Sequence, residues 1–437
     1  MSKVICAISG GVDSAVAALL LKRRGLNVVG VFMRNWDLED EVGQCSVQED
    51  ATYATRVCRA LDIPFYEVNL VKEYWTNVFM PMVDQYEMGN TPNPDILCNQ
   101  LVKFSAFHNK CSSMFGNVVI ATGHYARTTL NDRVLTAKVP HTAEQRLLKA
   151  VDPFKDQTFF LHKVDRTALL RSYFPLGGIF KSKVKEIAAA SEISFVLKRK
   201  ESAGICFIGR REFSNFIKNY ISPKPGQFIC YETGNVIGNH DGYFSYTVGQ
   251  RSLIGGLRIS YAVLHRNSKD GNVLVVPGLN HPALYRKSLV SGPAHWIAGE
   301  PALLREGKPL NCYFRFCHRN SLVPCTVHQL ENERLLIILQ HPLRAMTVGQ
   351  DAVLYTEDEC LGGAQIDDVG PSMYESQSQD KIVFDTFRDN CDLWLRMLDT
   401  YGPEVAAFSS ADTTQQLDNY NKQIKSFKQS QVLQDQS

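Results

Sequence analysis

The stretch from Val4 to Arg24 leaves this chain few ways to fold. Val4-Ile5-Cys6-Ala7-Ile8 is a short, apolar, β-branched run of the kind buried in a parallel sheet. Ala15 to Arg24 reads as a helix, basic at its C-terminal end where the dipole favours cations, and closed by Gly25. Between them lies Ser9-Gly10-Gly11-Val12-Asp13-Ser14. The two glycines permit a tight turn with exposed N–H groups, and the serine hydroxyls and the helix N-terminus add donors aimed at an anion. A Walker A loop would carry a lysine before its Ser/Thr; none stands here. Asp13 occupies the turn instead, which suits a site that holds ATP by its pyrophosphate and a Mg2+ ion at Asp13. The plainer alternative is a strand, turn and helix with small residues for close packing.

Apolar runs and helical stretches alternate up to about residue 210. Residues 28–33, 65–68 and 118–122 read as further strands and 49–61 as a helix, the pattern of an α/β doubly wound parallel sheet. Ligands bind such sheets beyond the carboxyl ends of the strands. The Ser9 turn, the loop Met33-Arg34-Asn35-Trp36 and Gly123-His124-Tyr125-Ala126-Arg127 should therefore converge. The 437 residues exceed one core, and four segments are expected. They are 1–210; a small mixed segment at 211–277, with a helix over 211–220; a β-barrel or sandwich at 278–368; and a tail at 369–437. In the tail Val383, Phe387, Cys391, Trp394, Leu395 and Leu398 fall at helical spacing before Gly402-Pro403, which predicts an amphipathic helix docked on the body. Beyond Ser409 the Gln, Asp, Ser and Asn content predicts disorder.

Net charge is +2, yet residues 371–437 hold 6 basic and 10 acidic side chains, leaving 41 basic against 35 acidic in the body. That asymmetry permits a basic surface for RNA. No apolar run is long enough to span a membrane. Only three residues precede the first strand, so a cleavable targeting peptide would consume the turn; an organelle address is expected to be non-cleaved or to lie outside this sequence. Twelve cysteines without a secretory signal point to a reducing compartment.

Thr91-Pro92-Asn93-Pro94-Asp95-Ile96-Leu97-Cys98-Asn99 is the second informative segment. Its prolines set an extended turn, after which Asp95 and Cys98 share one face of a helix running to Phe107. A thiol there would be activated by the helix dipole. The alternative is a capping Asp beside a buried Cys, and by itself the segment favours that reading. Cys206, between Ile205 and Phe207, has a core-like setting, although Gly204 and Gly209 suggest a loop. Cys312, Cys317, His318, Cys325 and His328 invite a zinc reading, but residues 312 and 317 would face opposite sides of a strand and the chain has no Cys-x-x-Cys pair. No structural metal is expected. Lys155-Asp156-Gln157 could be an exposed polar turn.

Taken together, the pieces resemble the tRNA-specific 2-thiouridylase family over about residues 3–367. The resemblance rests on Ser9 to Ser14, Met33 to Trp36, Thr91 to Asn99, Gly123 to Arg127, Lys155 to Gln157, Glu201 to Gly209 and Leu361-Gly362-Gly363. Phe154 to Leu161 and Lys72 to Trp75 look like its mitochondrial branch, which implies residence in the mitochondrion. The resemblance implies a pyrophosphatase-loop fold with a tRNA-binding barrel, and ATP- and Mg2+-dependent adenylation of C2 of the wobble uridine followed by sulfur transfer. Ala7, Ile8, Ser9, Gly10, Gly11, Val12, Asp13, Ser14, Met33 and Gly123 would border the nucleotide. Cys206 would carry the persulfide, received from a sulfur-donor protein. Cys98 would be the partner nucleophile, able to close a disulfide with Cys206, and Asp95 the general acid or base. Asn93, Pro94 and Asp95 would contact the flipped-out base. His124, Lys155, Asp156, Gln157, Arg315, Phe316 and Gln350 would meet tRNA. Cys317 stands where the family often has a basic residue. The rival readings are an adenylating ligase or amidotransferase acting on a small molecule, and a non-catalytic RNA-binding relic.

Overall fold

A computed structural model describes residues 3–36, 46–136, 140, 143–199, 208, 211–376 and 390–409. Among these, five strands form a parallel sheet in the order Phe65–Asn69, Asn27–Arg34, Lys3–Ala7, Val119–Ala121 and Ser172–Tyr173. Its strands are apolar because helices cover both faces. Val4, Ile5 and Cys6 have no exposed surface. The helix Val12–Arg23 is buried on nearly all sides, as its run of Ala, Val and Leu requires. The order of strands reverses between Lys3–Ala7 and Val119–Ala121. The loops leaving these two strands, Ile8–Gly11 and Thr122–Gly123, therefore flank the crevice where such folds bind ligands. The two-residue strand Ser172–Tyr173 carries no periodicity and adds to the four strands expected.

The middle segment is a four-stranded mixed sheet of Tyr261–Arg266, Val273–Pro277, Gly226–Cys230 and Val236–His240. Its helix covers only Phe213–Ile217, five residues rather than the ten predicted. The chain then tightens into i→i−3 bonds, Asn219 N–H to Phe216 O and Tyr220 N–H to Ile217 O. That turn stacks Phe216 and Tyr220 against Phe79. Tertiary packing of aromatics outweighed local helix propensity.

The third segment closes on itself. Tyr285–Ser291, Leu335–Arg344, Val323–Gln329, Leu310–Arg315, Asp351–Tyr355 and Glu359–Val369 pair in sequence, and the last returns to the first. A closed barrel leaves its strands no edge. Leu147–Leu148 of the first segment extends the strand Glu359–Val369, so the two segments share a β-ribbon. The tail helix, Cys391–Tyr401, docks on the barrel: Trp394 is fully buried against Val290, Leu336 and Ile338. Val383 and Phe387 of the predicted helix, and the predicted disorder past Ser409, lie outside the described residues. No described helix is long and apolar enough to cross a membrane.

Candidate active site

The turn after Lys3–Ala7 is held by its own serines. Ser14 Oγ donates to Gly11 O at 3.1 Å and accepts from Ser9 N–H at 3.1 Å, and the Ser9 and Ser14 hydroxyls lie 3.1 Å apart. Gly10 takes φ +76°, and a Cβ there would fall 2.6 Å from Asp50 O. Only glycine fits both demands. Across the crevice, a Cβ on Gly123 would come 2.8 Å from Ser14 N and 2.9 Å from the Asp13 carbonyl carbon. The sheet thus brings the Ser9 turn and Gly123 together, as expected. Met33, half-buried, is the last residue but one of the neighbouring strand Asn27–Arg34, and Ala7 and Ile8 lead into the turn. Because both Gly123 contacts are backbone, Gly123→Ala must displace the loop itself. It is expected to weaken binding of a non-hydrolysable ATP analogue by about 10- to 100-fold in calorimetry; an unchanged affinity would place the nucleotide elsewhere.

Two cations at this turn escaped the sequence reading. Lys181, at the start of the helix Lys181–Ala189, places Nζ 2.7 and 2.8 Å from the two Asp13 carboxylate oxygens and is only 8% exposed. Tyr125 OH donates to the same carboxylate at 2.8 Å. Arg199 pairs with Asp50, and its Nη1 lies 3.0 Å from where a Gly10 Cβ would sit. Burial lowers its pKa from the ordinary range, so an anion there would relieve it. Nothing in the spacing of Lys181 or Arg199 ties them to a turn more than 160 residues earlier. These cations and the turn's donors form a set that suits phosphate groups, and the Asp13 carboxylate, whose two oxygens are held by Lys181 in this structure, is the oxygen donor at the turn that a divalent ion would need.

Asn93 caps the short helix Pro94–Leu97, its side chain accepting from Asp95 N–H at 3.2 Å. Asp95 and Cys98 lie three residues apart, one turn of a common face. The helix does not continue regularly: Cys98–Ala106 is wound as a π-helix before Phe107–Phe115 resumes the α form. Cys98 N–H already bonds Pro94 O and Asp95 O, so the thiol sits past the first turn, where the dipole has faded. Activation by a helix N-terminus, one of the two readings above, does not hold. Cys98 is 3% exposed. Burial pushes the Asp95 carboxyl above its ordinary range, while the Lys103 ammonium pulls it back. The same burial and the same ammonium hold His124 well below its ordinary value, hence neutral; Thr122 Oγ1 bonds its Nδ1 at 2.8 Å. Lys103 is a further residue the sequence reading missed. Cys206 lies outside the described residues.

The positions assigned to tRNA divide. A cleft of about 320 Å3 opens beside Asn93, walled by Pro92, Leu97, Lys163 and the barrel's Asp351. Lys155 is half-buried beside Phe154, which is 89% exposed. Gln157 exchanges two hydrogen bonds with the Tyr125 backbone, each 2.9 Å. Asp156 and Arg315 face each other rather than solvent: Arg315 Nη2 lies 3.1 Å from Asp156 Oδ2 and 3.0 Å from Tyr355 OH. Phe316 is buried in the barrel beside Phe314, and the Gln350 amide donates to Thr91 O at 2.6 Å. An exposed polar turn at Lys155–Gln157 is therefore corrected for Asp156, which is 2% exposed. Cys312 and Cys325 are cross-strand partners with sulfurs 3.6 Å apart, Cys317 is exposed, and no cluster of metal-ligating side chains occurs among the described residues.

A nucleotide-type α/β domain joined to a closed barrel, with a phosphate turn and a buried acid–thiol pair, defines a class of nucleotide-using enzymes. Family models match residues 2–210 as a tRNA methyl transferase HUP domain, 214–277 as its PRC-barrel domain and 286–366 as an aminomethyltransferase beta-barrel domain. The chain is 49% identical to the mitochondrial tRNA-specific 2-thiouridylase 1 of Homo sapiens, covering 86% of this chain and 92% of that protein. It is 43% identical to the Drosophila melanogaster protein of that name, over 84% and 94%, and 39% identical to tRNA-specific 2-thiouridylase MnmA of Protochlamydia amoebophila, over 86% and 96%. The chain belongs to the tRNA-specific 2-thiouridylase family, enzymes classed as tRNA sulfurtransferases.

Proposed function

We propose that this chain is an ATP-dependent tRNA 2-thiouridylase that converts the wobble uridine of tRNA to 2-thiouridine, releasing AMP and pyrophosphate. The phosphate turn and the Asp95–Cys98 pair on one domain carry this reading, because sulfur replacement needs both an activated oxygen and a nucleophile. ATP is a substrate, and Ser9 to Ser14 would grip its pyrophosphate while Lys181 and Arg199 face the phosphates. Asp13 is the residue that would hold a Mg2+ ion, which when bound would supply positive charge against that of the phosphates. The C2 oxygen of the base would attack the α-phosphorus, turning a poor leaving group into AMP. Cys206, loaded as a persulfide by a donor protein, would deliver sulfur to C2. Cys98 would attack the Cys206 sulfur, breaking the persulfide S–S bond so that the terminal sulfur stays with C2 as AMP departs, and leaving a Cys98–Cys206 disulfide that an external thiol reductant would reopen. Asp95, three residues before Cys98 and with its carboxyl raised by burial, would serve as the general acid or base.

Residues 1–210 would form the ATP-pyrophosphatase domain and 278–368 the barrel that grips the anticodon stem by shape and phosphate contacts, with 211–277 between them and 369–437 as a tail. Asn93 and the cleft beside it suit a base turned out of its stack. The relatives named as mitochondrial support residence in the mitochondrion, and imaging a C-terminally tagged chain tests it. Cys206→Ser and Cys98→Ser should each reduce 2-thiouridine, measured by mass spectrometry of tRNA nucleosides, by at least about 100-fold. Persistence of the modified base in Cys206→Ser would sink the proposal.

A further inference from the structure

Thr91 joins all three folded segments. It is buried, two residues ahead of Asn93, and every polar group it carries is taken by another segment. Its N–H donates to Val348 O of the barrel at 3.1 Å, and its carbonyl accepts from the barrel's Gln350 Nε2. Its hydroxyl oxygen accepts from Nη2 of Arg266, the last residue of the central strand Tyr261–Arg266, at 2.6 Å. Arg266 is 3% exposed, and its other bonds run to Gly89 O at 2.6 Å and Tyr246 O at 2.8 Å. Burial draws its pKa down to about 10, so it is charged at neutral pH. On the opposite side Gly349, at φ +90°, lets the barrel approach so closely that a Cβ would fall 2.9 Å from Thr91 N.

From Thr91 the chain passes through Pro92 and Pro94, whose rings hold φ and leave little slack before Asp95 and Cys98. A shift at Thr91 must therefore reach the turn. There is room for one: a cavity of about 280 Å3, bordered by Met88, Gly89, Asn90 and Arg266, lies beside the joint. We infer that Arg266 is a positioning residue for sulfur transfer, its guanidinium acting through Gly89 and Thr91, with Gln350 opposite, to hold the Pro92–Cys98 turn in place. The central and barrel segments would then decide whether Asp95 and Cys98 are presented to the base. This rests on the roles proposed above for those two residues.

The test uses the full chain and the variants Arg266→Met and Thr91→Val. Three quantities are read: single-turnover tRNA thiolation, affinity for an ATP analogue, and iodoacetamide alkylation of each cysteine resolved by mass spectrometry. Arg266→Met should slow thiolation by about 10- to 100-fold and leave ATP affinity within about twofold, since the phosphate turn does not touch the joint. Cys98 should alkylate about tenfold faster while Cys6 and Cys58, in the core around the first helix, keep their rates. Thr91→Val should act in the same direction with a smaller effect, and Arg266→Lys should recover part of the loss. Cys98 reactivity unchanged in both variants, or rising only in step with Cys6 and Cys58, would overturn the inference. If Arg266→Met does not fold, the same comparison in Thr91→Val decides. A wild-type chain that leaves tRNA unthiolated would remove the functional reading, and the alkylation pattern would still judge the positioning.

Discussion

Lys181→Met is expected to slow tRNA-dependent release of pyrophosphate from ATP by about 100- to 1,000-fold, or about 3–4 kcal/mol of barrier. The side chain is almost wholly buried, and both oxygens of Asp13 lie within 2.8 Å of its ammonium. In a turn without a lysine of its own, this is a cation delivered from elsewhere in the fold, and under the proposed function it would lie where phosphate charge develops. Tyr125 donates to the same carboxylate, so Asp13 keeps its position when the ammonium is removed. The loss should therefore fall on the rate more than on folding. Lys181→Arg should not restore it, because a planar guanidinium cannot occupy a pocket shaped for a compact ammonium. Radiolabelled pyrophosphate formation in single turnover reads the effect. Wild-type rates in Lys181→Met would reduce the ion pair to a structural brace.

Asp156→Ala should destabilise the protein by about 3–5 kcal/mol in urea unfolding, since it strands the Arg315 charge in a buried site. The carboxylate accepts from Ala150 N–H at 3.0 Å and Thr158 Oγ1 at 2.8 Å as well as from Arg315. His318 Nε2 bonds the Asp156 carbonyl at 2.6 Å, adding another tie between the parallel-sheet segment and the barrel. Replacing both charged partners, Asp156→Leu with Arg315→Met, should recover most of the loss, because an apolar pair of similar volume no longer carries an unpaired ion. A cost below about 1 kcal/mol for Asp156→Ala would mean that water reaches the pair as it does at the surface. Removing either partner should also loosen the barrel's hold on the domain that carries the phosphate turn.

Much of the ATP domain was legible because its signals are local. The run Val4 to Ile8 is apolar on both faces because both faces of its strand are covered, and the glycines of the turn are required by a positive φ at Gly10 and a close approach to Asp50. The extended turn and helix start around Asp95 and Cys98 were legible for the same reason, since two prolines leave the backbone little freedom, whereas the roles of these two side chains came from the family resemblance rather than from the segment. What local pattern could not convey is the regular α-helix assumed after Cys98, which the structure winds as a π-helix, and the ten-residue helix after Arg211, which aromatic packing cut to five.

The strand, turn and helix of residues 4–24 were set by the sequence itself, because each depends on residues near one another in the chain; their place at the reversal of the parallel sheet rests on pairing with strands as far away as Val119–Ala121. Lys181 at Asp13, Arg199 over Gly10, the Asp156–Arg315 pair and the meeting of Arg266 and Gln350 at Thr91 were decided by the tertiary structure alone. The hydrogen-bonded partners among them are 159 to 259 residues apart. No periodicity spans such distances. Those pairings exist because burial of the sheet, the closed barrel and the shared ribbon at Leu147–Leu148 brings the segments together, and buried charges then must find one another.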